Sequence, residues 1–157
     1  EPLVSTLEAY FQGKKDLFGG LAMERWEKDW ESYLVLHIDF SLTKYMELTD
    51  LTGQLNLFLH RWEKIYGKDE AEKTASERLQ GIILRASEQI GKQVVVLIDE
   101  YDAPLLDSNS DTALQQQLRN EMRKFFSPPQ EVGAVSSLSL HHRHQQVQPT
   151  EHLQRTE

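Results

Sequence analysis

The chain has 157 residues, of which 39% are hydrophobic, so it is about one domain long and can bury a core. Its formal charge of −8 argues against a direct nucleic-acid site or an anionic-membrane surface, because those partners attract clustered Lys and Arg. It has no cysteine, which excludes disulfides and thiolate metal sites, and no apolar segment as long as a membrane span. These features predict a cytoplasmic protein.

The first apolar residues of the chain recur at helical spacing. Leu3, Leu7 and Phe11 lie four residues apart, which puts them on one face of a helix. Gly13 can end that helix, because glycine readily adopts the left-handed conformation found there. The sequence therefore predicts a helix over residues 3–12.

A tryptophan pair and an apolar run follow this helix. Trp26 and Trp30 lie four residues apart in a charged stretch and predict a second helical segment. The apolar run 33–39 predicts a strand. A single histidine inside such a strand, His37, is more often a hydrogen-bonded core residue than a metal ligand or a base, so no role is assigned to it. Asp39 ends the strand. It could line a functional site, or it could simply be an acid at the solvated edge of the sheet.

Two long amphipathic helices separate this strand from the next. Apolar residues at spacings of three and four predict the first over residues 46–66 and the second over about 75–90, each followed by a glycine. A strand–helix–helix–strand crossover requires parallel pairing. We therefore expect the strands 33–39 and 93–99 to be neighbours in one sheet, with the helical stripes in its core.

The segment from Gln93 to Asp102 carries the strongest functional signal. An apolar run that predicts a fully buried strand stops abruptly at Asp99 and Glu100. Ligands in α/β sheets bind beyond the carboxyl ends of such strands. An acid that holds Mg²⁺, followed by an acid that orients the attacking water, is the Walker B arrangement of ATPases. The alternative interpretation is a solvated turn after a buried strand.

A polar segment and one more helix follow the acids. Residues 103–110 contain a proline and a polar run, which predict a loop. Ser110 or Asp111 can cap the next helix, whose buried face begins at Leu114. Two consecutive prolines from Pro128 end it.

Four segments in this order resemble the AAA-ATPase-like family of bacterial P-loop proteins. They are Leu3-Val-Ser-Thr-Leu-Glu-Ala-Tyr-Phe, Val35-Leu-His-Ile-Asp-Phe-Ser, Val95-Val-Leu-Ile-Asp-Glu-Tyr-Asp with Pro104-Leu-Leu, and Leu118-Arg-Asn-Glu-Met-Arg-Lys-Phe-Phe-Ser. The resemblance implies a parallel sheet with flanking helices, Mg²⁺ and ATP as ligands, and a PD-(D/E)XK nuclease-like domain in the full-length protein. It implies that Asp99 binds Mg²⁺ and that Glu100 is the catalytic acid. Asp102 and Asp39 are secondary candidates.

The sequence departs from the family before the first predicted helix. The family places a first strand and a Gly-Lys-Ser/Thr phosphate loop there, whereas this chain has Glu1-Pro2, and Gly-x-x-x-x-Gly-Lys-Ser/Thr occurs nowhere in it. We therefore expect a partial P-loop fold that lacks its first strand and phosphate loop. Such a chain would bind neither ATP nor Mg²⁺ appreciably.

The tail also departs from the family. From Pro128 onward the chain has no hydrophobic period, so residues 128–157 are predicted to be disordered. The histidines from His141 to His144 could bind a metal ion adventitiously. Alternatively, reading the codons of residues 136–157 one nucleotide later, with suitable codon choices, gives an apolar strand and a turn like those of the family. A frameshift would then leave an edge of the sheet bare and promote self-association.

These features together predict an α/β chain in two parts. Residues 1–127 would be a partial AAA-ATPase-like domain, related to enzymes that hydrolyse ATP with Mg²⁺ but itself inactive, and residues 128–157 a polar tail. The alternative is a non-catalytic interaction module in which the two long helices bind a partner and the acids only end a strand.

Overall fold

The structure is a computed structural model, and it describes residues 2–22, 30–127 and 136–139. Its helices and strands, in chain order, are α1 (Pro2–Phe11), β1 (Leu34–Asp39), α2 (Leu48–Tyr66), α3 (Ala75–Ile90), β2 (Val94–Asp99), α4 (Ala103–Asp107), α5 (Thr112–Phe125) and β3 (Ser136–Ser139). Short 3-10 turns cover Lys15–Phe18 and Phe40–Leu42. The helical segment predicted around Trp26 lies outside the described residues. No helix in the described part of the chain is both long and apolar enough to cross a bilayer.

The three strands form one parallel sheet in the order β1-β2-β3. The β1 and β2 strands pair in register from Leu34 opposite Val94 to Asp39 opposite Asp99. Every residue of β2 is buried, as expected for a central strand covered on both faces. The prediction that these two strands are parallel neighbours, joined through α2 and α3, is confirmed.

The long helices begin and end where the sequence signals predict. The side chain of Thr74 accepts a hydrogen bond from the backbone N–H of Glu77, whose own side chain reaches back to the N–H of Thr74. Gly67 and Gly91 follow the last helical residues with φ of 90° and 70°, values that glycine adopts without a steric penalty. Local sequence thus sets both ends of α3 and the end of α2.

The main hydrophobic core lies on one face of the sheet. Alternate residues of both strands point into it, and they meet the apolar stripes of α2, α3 and α5. The core residues are Leu36, Ile38, Val94, Val96, Ile98, Leu51, Leu55, Phe58, Leu59, Leu79, Ile82, Ile83, Ala86, Leu118, Met122 and Phe125, with Phe40, Tyr45 and Tyr66 at its ends. The predicted amphipathic stripes are therefore core.

Helix α1 covers the opposite face of the sheet. It contacts both β1 and β2, and its residues Val4 and Ala9 are buried. At its C-terminal end, the N–H of Tyr33 donates to the carbonyl of Phe11 at 2.7 Å, immediately before β1 begins. Helix α1 therefore runs antiparallel to the strands, and its first turn lies near their carboxyl ends.

The segment after the acids differs from the predicted loop. Residues 103–107 form the short helix α4, with Pro104 in its first turn. Proline is compatible with that position, because the first N–H groups of a helix have no partner within it. The loop prediction was therefore wrong for residues 103–107, whereas residues 108–110 form a non-helical turn as predicted. The cap prediction is confirmed, because Asp111 accepts from the N–H of Leu114 at 2.9 Å.

The predicted disorder of the tail is wrong for residues 136–139. They form β3, which pairs with β2 from Val95 to Ile98 on the side away from β1, so that edge of β2 is not bare. A ladder needs only backbone N–H and carbonyl groups, which a serine-rich segment supplies as well as an apolar one. Residues 128–135 and 140–157, including the histidines from His141, lie outside the described residues. The frameshift and self-association remain untested predictions.

An ion pair between α2 and α3 was not predicted. Glu63 is 8% exposed although it lies on the apolar side of α2. The Arg78 guanidinium donates to its two carboxylate oxygens at 2.6 and 2.9 Å and to the amide oxygen of Asn56 at 2.6 Å. These hydrogen bonds hold the pKa of Glu63 below its ordinary value of 4.5.

Replacing Glu63 with Gln should lower the free energy of unfolding by about 2 kcal/mol at neutral pH, because Arg78 is left without its charged partner. The pKa of Glu63 is lower in the folded than in the unfolded chain. The pair therefore stabilises fully above the ordinary pKa, and this stabilisation is lost as pH falls through the lower folded-state value. Urea denaturation at neutral pH and near pH ~3 should show the mutational effect shrinking in acid. Glu70→Gln, in an exposed ion pair with Lys68, should have no measurable effect.

Candidate functional site

Two acids lie side by side where β1 and β2 end. Asp39 and Asp99 are the last residues of their strands and are paired in register. Strand alternation puts them on the α1 face of the sheet, because Ile38 and Ile98 point into the core on the other face. The structure thus brings together the main candidate Asp99 and the secondary candidate Asp39.

Backbone hydrogen bonds orient both carboxylates. Asp99 is only 5% exposed, and its Oδ1 accepts a hydrogen bond from the N–H of Glu100 at 3.0 Å. The Oδ1 of Asp39 accepts from the N–H of Ser41 at 2.8 Å. Each carboxylate is therefore anchored to the backbone that follows its strand.

The backbone of Glu100 has an unusual conformation. Its φ is 51°, in the left-handed region that residues other than glycine adopt infrequently. Such conformations cost about 1–3 kcal/mol and are concentrated at functional sites. The chain turns sharply at Glu100 after β2, and both Asp99 and Glu100 line the same cavity.

This cavity lies at the carboxyl ends of the strands, under the first turns of α1, and has a volume of about 600 Å³. Its lining comes from α1, β1, the segment after β1, the turn after β2 and α4. The lining residues are Val4, Ser5, Glu8, His37, Asp39, Ser41, Thr43, Lys44, Asp99, Glu100, Ala103, Leu106 and Asp107. A cavity of this size is typical of small-molecule sites.

The segment after β1 is tied to α4 on one side of the cavity. Asp107 accepts from the Lys44 ammonium at 3.1 Å and from the N–H of Tyr45 at 3.2 Å. The buried hydroxyl of Tyr45 donates to the carbonyl of Phe40 at 2.9 Å. Burial, and then the negative charges of Asp39 and Asp107, raise the pKa of Tyr45, so its hydroxyl keeps the proton that it donates.

Asp102 does not line this cavity with the other acids. It precedes α4 and has one carboxylate oxygen, Oδ1, that is buried without a hydrogen-bond partner. The structure therefore separates this secondary candidate from Asp39 and Asp99.

His37 does line the cavity, although sequence reasoning assigned it no role. Its Nε2 is buried without a hydrogen-bond partner. The available signal was strand alternation, which puts His37 on the same face as Asp39, two residues later. Glu8, Lys44 and Asp107 were also missed, because only the tertiary packing of α1, the segment after β1 and α4 brings them to the cavity.

The carboxylate oxygens that line the cavity are of the kind that coordinates Mg²⁺. This ion prefers oxygen ligands and is usually bound through one or two carboxylates, with waters and substrate phosphates completing its shell. Asp99 and Asp39 supply carboxylate oxygens at the cavity. Within the described ranges, no group of at least three His, Asp or Glu residues is arranged to hold a metal ion by itself.

Comparisons with known proteins point to one family. The profile of a family described as Predicted AAA-ATPase matches residues 2–138. The chain is also 32% identical over 126 residues to a protein of Azotobacter chroococcum mcd 1 described as "Uncharacterized protein in vnfD 5'region". That match includes 79% of the chain and 24% of the relative, so the chain spans about a quarter of the relative's length. No solved structure matches the chain.

Proposed function

The chain belongs to the AAA-ATPase-like family, and from that premise we propose that it supplies the acids of a Mg²⁺-dependent ATP-hydrolysing site. The observation that carries the proposal is the cavity lined by both Asp99 and Glu100 and by the first turns of α1. Ligands of α/β sheets bind beyond the carboxyl ends of the strands, and helix N-termini attract phosphate groups. Helix α1 presents its N-terminal residues Val4 and Ser5 to the same cavity as the acids.

The two adjacent acids would have different roles. Asp99, the more buried of the two strand-end acids, would hold Mg²⁺, with Asp39 beside it as a second source of oxygen ligands. When bound, the ion would neutralise charge on the phosphate groups of ATP. Glu100 would accept a hydrogen bond from the attacking water, orienting it and taking its proton. The left-handed backbone of Glu100 supports a specialised role for this residue.

Residues 1–157 alone should bind ATP only weakly and should not hydrolyse it detectably. In P-loop enzymes the triphosphate is held mainly by loop amides and the loop Lys, and the 157 residues contain no Gly-x-x-x-x-Gly-Lys-Ser/Thr. Carboxylates alone repel phosphate. Titration calorimetry with Mg·ATP should therefore detect no micromolar binding. Neither the unmodified chain nor Asp99→Asn or Glu100→Gln should hydrolyse ATP detectably.

Micromolar ATP binding that Asp99→Asn abolishes would contradict this expectation and would require another phosphate-binding element within these residues. The proposed function itself is tested in a protein that carries this chain downstream of a phosphate loop. There, Mg²⁺-dependent release of phosphate from ATP should be measurable. Its absence from a folded protein of that kind would refute the proposal.

The alternative of a non-catalytic interaction module has less support from the packing. The apolar stripes of α2 and α3, which would have to bind a partner, lie in the core. The large apolar residues exposed on these helices are Leu57, Ile65, Leu84 and Ile90. The acids at the sheet edge also line a cavity with α1, which a simple strand terminus does not require.

The activity of the whole protein is part of the proposal. The chain spans 24% of the relative's length, so a longer protein has room for the nuclease-like domain that the family resemblance implies. We propose that ATP hydrolysis at the Asp99 site is coupled to such a domain. Measuring DNA cleavage by the longer protein with and without ATP would test this coupling.

A further inference from the structure

Lys44 is the single lysine or arginine among the described residues that line the cavity. The other charged side chains there are the carboxylates of Glu8, Asp39, Asp99, Glu100 and Asp107. A phosphate group entering this space would be repelled unless a cation partly offsets these charges. Lys44 is the positive side chain placed to do so.

The present partner of Lys44 can be exchanged at little cost. The Lys44 side chain is 82% exposed, and its ammonium meets Asp107 at 3.1 Å. Exposed ion pairs of this kind contribute little to stability. Asp107 also accepts from the N–H of Tyr45, so its carboxylate keeps a hydrogen-bond donor when Lys44 leaves.

We propose that Lys44 exchanges its ion pair with Asp107 for the phosphate groups of a nucleotide in this cavity. The inference rests on the proposed function, because it assumes that the ligand of the Asp99 site carries phosphates. It adds a basic residue from the segment after β1, which the sequence motifs did not indicate. The flexible stem of lysine and its rotatable N–H donors suit a contact with phosphate that forms only when the ligand binds.

A separate observation in the same cavity also points to a polar ligand. The Nε2 of His37 is buried without a hydrogen-bond partner. Buried polar atoms are nearly always paired, so an unpaired one calls for a partner such as a water, an ion or a ligand. His37 precedes Asp39 by two residues on the same face of β1, so its imidazole lies deeper along the strand than the acids. The cavity therefore offers polar groups along its depth.

The test is an NMR titration of the 157-residue chain with Mg·ATP, which detects dissociation constants on the order of millimolar. Lys44→Gln should weaken binding about fivefold, because a charge-assisted hydrogen bond to phosphate is lost. Lys44→Arg should bind within about twofold of the unmodified chain, because it keeps the charge and the donors. The matched control is Lys124→Gln, an exposed lysine paired with Glu121 on α5, and it should have no effect.

Adenosine separates a phosphate contact from a general loss of the site. Adenosine carries the base and sugar but no phosphates. The chemical-shift changes that adenosine causes in the NMR titration should therefore be the same in Lys44→Gln and in the unmodified chain. A double-mutant cycle with Asp107→Asn adds a second readout. Asp107→Asn breaks the ion pair and frees Lys44 to contact phosphate. It should therefore strengthen Mg·ATP binding more in the chain that has Lys44 than in the Lys44→Gln background.

Equal Mg·ATP binding by the unmodified chain and Lys44→Gln would overturn the inference and leave the proposed function intact. No Mg·ATP binding by the unmodified chain up to about 20 mM would also overturn it, because Lys44 is present there. The proposed function is judged separately, by phosphate release from the protein that carries a phosphate loop. A fivefold loss restored by Lys44→Arg and absent with adenosine would support the inference.

Discussion

Replacing Glu100 with Gln should lower ATP turnover about a thousandfold in a protein that carries this chain downstream of a phosphate loop, while ATP binding is retained. The amide can no longer take a proton from the attacking water, so the general-base contribution is lost. The groups that bind the phosphates are left in place. Phosphate release under single-turnover conditions measures the chemical step, and equilibrium titration with ATP measures binding.

Asp102→Asn is the matched control for this substitution. It replaces a carboxylate by the same isosteric amide, two residues farther along and outside the cavity. Turnover should therefore change little, and the melting temperature of both variants shows whether the fold is intact. Full turnover by Glu100→Gln would exclude Glu100 as the general base. Loss of ATP binding together with turnover would mean that Glu100 acts on the bound ground state instead.

Elements with strong local signals could be predicted from the sequence. The stripes of α2 and α3 recur over several turns, and glycines with positive φ follow both helices. The apolar run of β2 is buried along its whole length. Parallel pairing of the two strands then follows from the helices between them, which in turn brings Asp39 beside Asp99. This part of the fold and site needed only periodicity and chain connectivity.

Features that depend on tertiary contacts could not be predicted in the same way. The β3 segment has no apolar pattern of its own and is a strand through its backbone pairing with β2. The short helix α4 contains a proline, and in the sequence a proline at that place predicts a loop. Lys44 and Asp107 lie far apart in sequence and meet because α4 folds back beside the segment after β1. Their contribution to the cavity has no local sequence signature.

Replacing Phe40 with Ala should lower the free energy of unfolding by about 4 kcal/mol, because it removes a large buried ring and leaves a cavity. Phe40 is 0% exposed and packs edge-on against the rings of Tyr45 and Phe126 at 6.3 and 6.2 Å. Alanine keeps the backbone carbonyl that accepts from the Tyr45 hydroxyl, but it loses the ring contact with Tyr45, which loosens the segment that follows Asp39. Urea denaturation measures the loss, and the melting temperature should fall by about 10 °C.

Leu42→Ala is the control for Phe40→Ala, because it lies in the same 3-10 turn but is 59% exposed. It should change the unfolding free energy by no more than about 0.5 kcal/mol. Hydrogen exchange of residues 40–47 should increase in Phe40→Ala and stay unchanged in Leu42→Ala, because Phe40 is buried against Tyr45 and Phe126 whereas Leu42 is exposed. A destabilisation by Phe40→Ala as small as that of Leu42→Ala would mean that the segment is held mainly by the hydrogen bonds to Asp107. In that case the position of Asp39 at the cavity would depend on α4 and not on the core.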